Sequence, residues 1–469
     1  MSDLLSSSAV ELAAAIRGGT ISAVEVLELH LERIREVNPR LNAVVTLCTE
    51  RARGQAEAAD RALADGRAVG PLHGVPFVVK DTLAVAGVRS TAGSLLLASH
   101  VPARTAPAVE RLERAGAVLL GKSNCPEFAL DTHTDNRVFG ATWNPLDPLR
   151  TPGGSSGGDA AAVASGCAAL GIGTDYGGSI RWPAACTGLA AIRATPGLVP
   201  ATGMLPFTSA GPLPPPNSMS LSGQLHVIAP IARRIGDAWA ALSVMAGPDG
   251  RDVHTAPVRL GDPATVEVAG LAVAWCDGEG TLPVRSDLVE AVRRAAAALE
   301  RLGACVVNQR PPGLERGEGI YAAFRAADGL PDHAALAAGR EEQLSDTVRD
   351  WLAGGSTATV AEYRRSAAAR DELRAEVLEF MESRPILLLP VASIPAFAPG
   401  PRSFRVEGVD IPWISILACC RVVSLLGLPA AVVRFGTSDE GLPACVQVVG
   451  RPFCEHEVVA VAAALEAAR

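Results

Sequence analysis

The feature that most limits how this chain can fold is a repeated order of helix, glycine and strand. In residues 106–124 (APAVERLERAGAVLLGKSN), apolar residues at helical spacing are followed by Gly116 and a short apolar run. Residues 286–309 repeat this order, with a longer amphipathic segment before the run ACVVNQ. Helices that alternate with short buried strands are typical of α/β proteins. Although the order of elements recurs, the amino-acid sequence itself contains no internal repeat. With 469 residues, the chain is predicted to form one α/β domain over residues 1–469.

Other segments fit the same plan. The first seventy residues are predicted to be helical, and residues 73–84 (HGVPFVVKDTLA) to contain a buried strand that ends at Lys80. A loop rich in glycine and proline, residues 144–158, leads into a helix with Asp159 near its start. The remaining predictions are a rigid connection over residues 211–220, a long helix over 359–382, a strand over 385–391 and a closing helix after Arg451.

Charge and hydropathy exclude several classes of partner. The formal net charge is −8 and no basic cluster stands out, which argues against direct binding of nucleic acid. No uncharged apolar run reaches the roughly 18 residues of a membrane-spanning helix. The first residues do not have the pattern of a signal peptide. A cytoplasmic protein that does not act at a membrane is therefore expected.

Cysteine and histidine spacing argues against a metal site. The ten cysteines include no C-x-x-C pair, and the eight histidines include no H-E-x-x-H or H-x-H cluster. Scattered cysteines among apolar neighbours are typical of buried thiols in a reducing compartment. We therefore expect neither a metal nor a disulfide framework.

Lysine and arginine occur in very unequal numbers in this chain. Of the 42 lysine and arginine residues, only Lys80 and Lys122 are lysine. Arginine stays protonated in proteins, whereas a buried lysine can lose its proton. A lysine in so arginine-rich a chain is therefore a candidate for proton transfer. Lys80 follows an apolar strand, which suits that role.

Two glycine-rich segments leave several functions open. They are GGSSGG (residues 153–158) and GTDYGGSIRWPAA (residues 173–185). Alone, each is consistent with an ordinary loop. A phosphate-binding loop is disfavoured, because neither contains G-x-x-x-x-G-K-[ST] or G-x-G-x-x-G. Residues 153–157 match the G-x-S-x-G of a nucleophile elbow, but Pro152 is incompatible with the central strand that an elbow requires.

A third interpretation uses both segments together with Lys80. Ser179 would be a nucleophile, and the glycines before it would let backbone N–H groups converge into an oxyanion hole. A serine hydroxyl needs a base, and no histidine lies near either segment in sequence. A lysine can be that base when burial disfavours its ammonium form. Lys80 is the candidate.

These residues resemble the amidase signature enzymes. The matching segments are GVPFVVKDTL, GKSNCPEFA, TPGGSSGGDAAAVASG, GIGTDYGGSIRWPAACTGLAAIRAT, APIARRIGDAWAAL and GLPACVQVVGRPF. They extend over most of the chain, with a motif-bearing core over approximately residues 70–235. The resemblance implies one α/β/α sandwich around a large, twisted, mixed β-sheet. It also implies hydrolysis of a carboxamide C–N bond in a small molecule through an acyl-enzyme, without a metal or organic cofactor.

The resemblance assigns a role to each motif residue. By it, Ser179 is the nucleophile, Ser155 is a bridging serine after a cis peptide bond, and Lys80 is the base. The implied oxyanion donors are the backbone N–H groups of Tyr176, Gly177 and Gly178. Residues with a predicted structural role are Asp175, Arg181 and Lys122. Residues predicted to contact the substrate are Asp131, Thr132, Ser156 and Trp182.

Three functions stay open on this basis. The main prediction is a stand-alone amidase that acts on a small-molecule amide, as a monomer or a homodimer. The first alternative is the glutaminase-type A subunit of a tRNA-dependent amidotransferase. The second is a catalytically inactive binding protein on the same scaffold, against which the intact Lys80, Ser155 and Ser179 argue. Aliphatic, aryl, peptide-like and hydrazide substrates are all compatible with the sequence.

Overall fold

The computed structural model of the chain describes residues 2–206, 219–353 and 358–469. Its strands are β1 Val44–Leu47, β2 Pro76–Lys80, β3 Val118–Ser123, β4 Leu170–Asp175, β5 Ala190–Arg193, β6 Val227–Ala232, β7 Ala272–Trp275, β8 Cys305–Asn308, β9 Ile386–Pro390, β10 Ser403–Val406, β11 Val409–Pro412, β12 Ala430–Thr437 and β13 Pro443–Val449. Its helices are α1 Ser2–Ser6, α2 Ala9–Arg17, α3 Ala23–Leu41, α4 Thr49–Ala64, α5 Pro107–Arg114, α6 Gly157–Ala164, α7 Arg181–Thr187, α8 Leu221–Leu225, α9 Ile235–Met245, α10 Ser286–Arg301, α11 Gly317–Asp328, α12 Pro331–Ala337, α13 Asp346–Ala353, α14 Val360–Ser383, α15 Ala418–Leu425 and α16 Glu455–Ala468.

Eleven of the described strands form one mixed sheet, in the order β1-β3-β2-β4-β6-β5-β12-β13-β9-β7-β8. β2 runs parallel to both of its neighbours, β3 and β4, and β7 runs parallel to β8 and β9. The other neighbouring pairs are antiparallel. Because β2 and β4 are parallel neighbours, their carboxyl ends meet at one edge of the sheet. This topology brings Lys80 and Asp175 to the same region of the molecule.

Helices cover both faces of the sheet. Along β12, Ala431 and Val433 join the larger apolar core, to which α9, α10 and α16 contribute. Val432, between them, points to the other face and joins a core built with α6 and α7. Strands buried on both faces are expected to be apolar, and β2, β3 and β4 are apolar except at their carboxyl ends, where polar residues such as Lys80 and Asp175 lie. The prediction of an α/β fold with a large mixed sheet between helices is confirmed.

Most of the local predictions are also confirmed, with one correction. β2 ends at Lys80, and α5 leads through Gly116 into β3. The helical prediction for the first seventy residues is wrong at β1, a four-residue strand that pairs antiparallel with β3. Its β-branched residues favour a strand where the edge of the sheet is available. The predicted rigid connection falls largely on residues 211–218, outside the described residues.

In the part of the chain that the structure describes, cysteines and histidines form neither disulfides nor a metal-binding cluster. All ten cysteines are free, and eight of them are buried. Within the described ranges, no three His, Cys, Asp or Glu side chains are grouped so that they could hold a metal ion. Nor is any helix in the same ranges long and apolar enough to cross a membrane.

Candidate active site

Lys80 is the last residue of β2, and its side chain is completely buried among hydroxyl groups. Its Nζ lies 2.6 Å from Ser155 Oγ, 3.0 Å from Thr174 Oγ1 and 3.1 Å from Ser156 Oγ. Burial lowers the pKa of Lys80 from 10.5 to about 8, although nearby acidic groups oppose this shift. A substantial fraction of Lys80 is therefore neutral near pH 8.

The loop before α6 brings Ser155 to this lysine. The peptide bond between Gly154 and Ser155 is cis. Gly154 packs tightly against another loop, since a Cβ here would lie 2.7 Å from the carbonyl oxygen of Asp131. Ser155 and Ser156 are both completely buried. The N–H of Ser156 donates to the carbonyl of Ser179 at 3.0 Å, which joins this loop to the turn that carries Ser179.

Ser179 lies in the turn between β4 and α7, and Asp175 shapes that turn. The Asp175 carboxylate accepts hydrogen bonds from the N–H groups of Gly178 at 3.0 Å and Ile180 at 3.1 Å. Gly178 has a φ of +119°, a conformation that favours glycine. Ser179 is half-buried, in contrast to the completely buried Lys80. The turn therefore leaves the serine accessible to a ligand while the lysine is shielded.

The contact at Gly178 corrects one of the predicted oxyanion donors. Because the Gly178 N–H donates to Asp175, it is not directed towards a ligand at Ser179. The backbone N–H groups of Tyr176, Gly177 and Ser179 have no hydrogen-bond acceptor among the described residues. These three N–H groups are the available donors beside the nucleophile candidate.

Buried ion pairs hold Asp175 in place. Its Oδ1 lies 2.9 Å from Arg181 Nη2 and 3.1 Å from Arg193 Nη1, and all three side chains are inaccessible to solvent. Burial alone would raise the pKa of Asp175, but the two guanidinium groups hold it well below its usual range. Arg181 also donates to Ser424 Oγ at 2.6 Å and to Gln447 Oε1 at 3.1 Å. These contacts agree with the structural role predicted for Asp175 and Arg181.

A cavity opens at Ser179. Its inner part, of about 50 Å³, is lined near the serine by Gly154, Tyr176, Gly177 and Asp131. An adjoining outer part has a volume of about 320 Å³. The residues that line both parts are Tyr321, Arg325, Trp351, Ile414 and Arg421. The two parts therefore adjoin each other, and the second half of the chain supplies their common wall.

The profile of the Amidase family matches residues 25–459. This chain belongs to the amidase family. An indoleacetamide hydrolase from Bradyrhizobium diazoefficiens is 35% identical over 466 residues, which cover 98% of this amidase and 86% of that protein. The A subunit of a glutamyl-tRNA(Gln) amidotransferase from Synechococcus sp. (strain CC9902) is 34% identical over 480 residues, which cover 95% and 93% of the two chains.

A solved structure gives the same result. The crystal structure of a bacterial aryl acylamidase of the amidase signature family matches with a TM-score of 0.87 and 28% identity. The match covers 98% of this amidase and 96% of that chain. The resemblance found in the sequence motifs is confirmed, and the chain is a hydrolase that acts on amides.

Of the four substrate contacts predicted for this amidase, two line the cavity. Asp131 and Thr132 form part of its inner wall, and burial raises the pKa of Asp131 to about 6. Ser156 is completely buried and contacts Lys80, so the structure places it beside the lysine and not in the cavity wall. Trp182 is also buried, and its Nε1 donates to the Thr132 carbonyl at 3.0 Å. Trp182 is therefore bonded to the cavity wall from behind and does not itself line the cavity.

Sequence reasoning missed much of the cavity wall. Tyr321 and Arg325 come from α11, Trp351 from α13 and Arg421 from α15. None of them lies in a recognisable motif. The available signal was the spacing of Tyr321 and Arg325, because residues four apart lie on one face of a helix. Thr174, the third hydroxyl beside Lys80, lies within the glycine-rich segment of residues 173–185, whose sequence does not reveal this contact.

Proposed function

We propose that this amidase cleaves a carboxamide of a small molecule through an acyl-enzyme on Ser179 and releases a carboxylic acid with ammonia or an amine. One observation carries the proposal. A buried lysine, with a pKa lowered to about 8, lies 2.6 Å from the hydroxyl of Ser155. Ser155 is on a loop whose next N–H is hydrogen-bonded to the carbonyl of Ser179. The arrangement suits proton transfer from Ser179 through Ser155 to Lys80.

The proposed reaction begins with neutral Lys80. Lys80 accepts the proton of Ser155 while Ser155 accepts the proton of Ser179, and Ser179 Oγ forms a bond to the carbonyl carbon. When the tetrahedral intermediate collapses, the C–N bond breaks and the proton returns through Ser155 to the leaving nitrogen. Water then attacks the acyl-serine by the same proton route, and the acid is released. In this scheme Arg at position 80 has no neutral form to accept the proton.

The developing oxyanion needs donors that point into the cavity. We assign this role to the backbone N–H groups of Tyr176, Gly177 and Ser179, since that of Gly178 is bonded to Asp175. Backbone donors of this kind typically contribute about 10² to 10³ in kcat each. They are fixed in place before the substrate binds, because the Asp175 contacts hold the turn.

A fluorophosphonate probe tests the nucleophile. We expect mass spectrometry to find the covalent adduct on Ser179, and Ser179→Ala to abolish it. In Ser155→Ala the adduct should still form on Ser179, but more slowly, because only the relay is interrupted. An adduct on Ser155 in the unmodified protein would disprove the proposed assignment of roles.

The substrate can be identified by screening amides for release of ammonia or amine. The panel should include indole-3-acetamide, an anilide and an aliphatic amide, because the relatives include an indoleacetamide hydrolase and an aryl acylamidase. We expect turnover with the isolated chain. EDTA should leave the rate unchanged, since the proposed steps assign every proton transfer to side chains.

A second candidate function is the A subunit of a tRNA-dependent amidotransferase. The 34% identity to a protein of this kind over 95% of this chain favours it. Under this alternative, the chain copurifies with other subunits and hydrolyses glutamine efficiently only in their presence. Affinity purification from the native cell, followed by glutaminase assays with and without the copurifying proteins, separates the two functions.

We place the reaction in the cytoplasm, because ten free cysteines favour a reducing compartment. For the isolated amidase we propose a monomer or a homodimer. Light scattering on the purified chain distinguishes these two assemblies, and cell fractionation tests the location.

A further inference from the structure

Arg325 occupies an unusual position in the cavity of Ser179. It lies on α11 and lines both the inner and the outer part of the cavity. Its side chain is mostly enclosed, with 8% of the residue exposed. The guanidinium carbon lies 3.4 Å from the centre of the Trp351 ring, so the arginine is stacked on that ring. Stacking fixes the plane of the guanidinium and leaves its edge to bind a ligand.

Among the described residues, no ion pair balances the charge of Arg325. Within the described ranges, no carboxylate lies within ion-pair distance of Arg325, and its buried Nη2 has no hydrogen-bond partner. The segments outside those ranges, residues 207–218 and 354–357, contain no aspartate or glutamate that could supply one. Asp328, one turn further along α11, accepts a hydrogen bond from the Leu221 N–H instead.

A second arginine in the same cavity, Arg421, differs from Arg325 because it has an ion-pair partner. Arg421 Nη1 lies 2.7 Å from Glu318 Oε1, so its charge is balanced within the protein. Other carboxylates also line the cavity. Asp131 is engaged by the His133 N–H and by Thr347 Oγ1, while Asp350 is exposed to solvent. Burying a charge without an ion-pair partner is costly, so an unpaired arginine in the cavity of Ser179 points to an anionic partner that arrives with the ligand.

We propose that Arg325 binds a carboxylate of the substrate, so that the amidase acts on amides whose acyl part carries a second, carboxylate end. A monoamide of a dicarboxylic acid is the simplest such molecule. The inference rests on the proposed function, because it assumes that the carbonyl of the same molecule reaches Ser179. A carboxylate accepts two parallel N–H bonds from the guanidinium and neutralises its charge, whereas a neutral oxygen leaves that charge unbalanced.

Matched substrates test this inference on the whole enzyme. The acidic series is succinamate, glutaramate and adipamate, and the neutral series is butanamide, pentanamide and hexanamide. We expect kcat/KM to be higher by about 10²-fold or more for the best acidic amide than for its neutral match. Arg325→Met should remove that preference, mainly by raising KM for the acidic amides. Arg325→Lys should restore part of it, because the charge remains but the planar pair of donors does not.

The control variant is Arg316→Met, which removes an exposed arginine paired with Glu376 on the outside of the molecule. It should leave the preference for acidic amides unchanged. Circular dichroism and thermal unfolding of each variant separate loss of folding from loss of binding. An unmodified enzyme that prefers the neutral series, or an Arg325→Met protein with an unchanged preference, would overturn the inference while leaving the amidase mechanism intact.

Binding of the product acids gives a readout that does not depend on turnover. Calorimetric titration with succinate, glutarate and adipate should detect binding to the unmodified protein and a loss of at least about tenfold in affinity in Arg325→Met. Absence of binding, or equal binding to both proteins, contradicts the carboxylate site. If no amide is cleaved and Ser179 takes no label, the proposed function fails, but the titrations still decide the role of Arg325.

Discussion

Lys80 and Lys122 lie at the ends of neighbouring parallel strands, and both are completely buried. Burial lowers the pKa of each. Their partners differ, because Lys80 is surrounded by three hydroxyl groups. Lys122 faces the Asp81 carboxylate at 3.7 Å and donates to the Leu83 carbonyl and to Ser90 Oγ. Burial allows a lysine to titrate, but its partners determine whether it can pass on a proton.

The largest expected difference between the two lysines is in activity. Lys80→Arg keeps the charge but removes the group that can become neutral, so kcat/KM should fall by about 10² to 10⁴. Lys122→Arg keeps a cation beside Asp81, so the folded variant should retain activity within a few-fold. Steady-state kinetics on both variants, with folding checked by circular dichroism, measures the difference. Near-normal turnover of a folded Lys80→Arg protein would show that another group activates Ser179.

For stability we expect the opposite order, so that replacing Lys122 costs more than replacing Lys80. Lys122→Met leaves the buried Asp81 without its cation, which should lower the free energy of unfolding by about 3–5 kcal/mol. Lys80→Met removes a buried lysine whose hydrogen-bond partners are hydroxyl groups and which forms no ion pair among the described residues, so it should cost less. Urea denaturation of both variants compares the two losses. Equal losses would mean that the ion pair of Lys122 adds nothing to its structural role.

The residues of the Lys80 site could be predicted because its parts are local in sequence, while its chemistry stays a prediction. The apolar strand before Lys80 and the glycines before Ser179 are each visible within about ten residues. The hydrogen bond from the Gly178 N–H to Asp175 could not be predicted, because it depends on which backbone groups the Asp175 carboxylate reaches in three dimensions. A glycine-rich turn offers several N–H groups, and the sequence does not say which of them remain free.

The cavity wall was largely beyond sequence reasoning for a different reason. Arg325 and Arg421 are both arginines on helices, and nothing in their neighbours separates them in sequence. Only in the folded chain does Glu318 form an ion pair with Arg421, while Arg325 stacks on the Trp351 ring. Sequence motifs thus contain the residues that we propose for the reaction, whereas the residues that we propose for substrate selection come from distant elements.

A smaller effect is expected from the hydroxyls that hold Lys80. Ser156→Ala removes one of its three partners without touching Ser155 or Ser179, so kcat/KM should fall by about 3- to 10-fold, the net worth of one hydrogen bond. The matched change beside the other lysine, Ser90→Ala, should leave kcat/KM unchanged. A loss of 10³-fold in Ser156→Ala would instead give this serine a direct part in the reaction.

The smallest expected effect is a shift in pH dependence. In the proposed mechanism neutral Lys80 is the active form. Since its pKa is about 8, kcat/KM should rise with pH through an acidic limb near 8. Asp159 is completely buried near Lys80, and burial raises its own pKa to about 7. Above that pH the carboxylate is ionised, and its negative charge raises the pKa of Lys80.

Asp159→Asn should therefore move the acidic limb of kcat/KM to lower pH, by about one unit or less. The asparagine oxygen can still accept the hydrogen bond that Ser123 Oγ donates to Asp159 Oδ1 at 2.6 Å, so the packing should be preserved. Asp81→Asn is the matched control, because it removes the carboxylate that faces Lys122, and it should leave the limb where it is. Rates measured from pH 5 to 10 on the three proteins make the comparison. An acidic limb that moves in Asp81→Asn but not in Asp159→Asn would mean that the titrating group is Lys122.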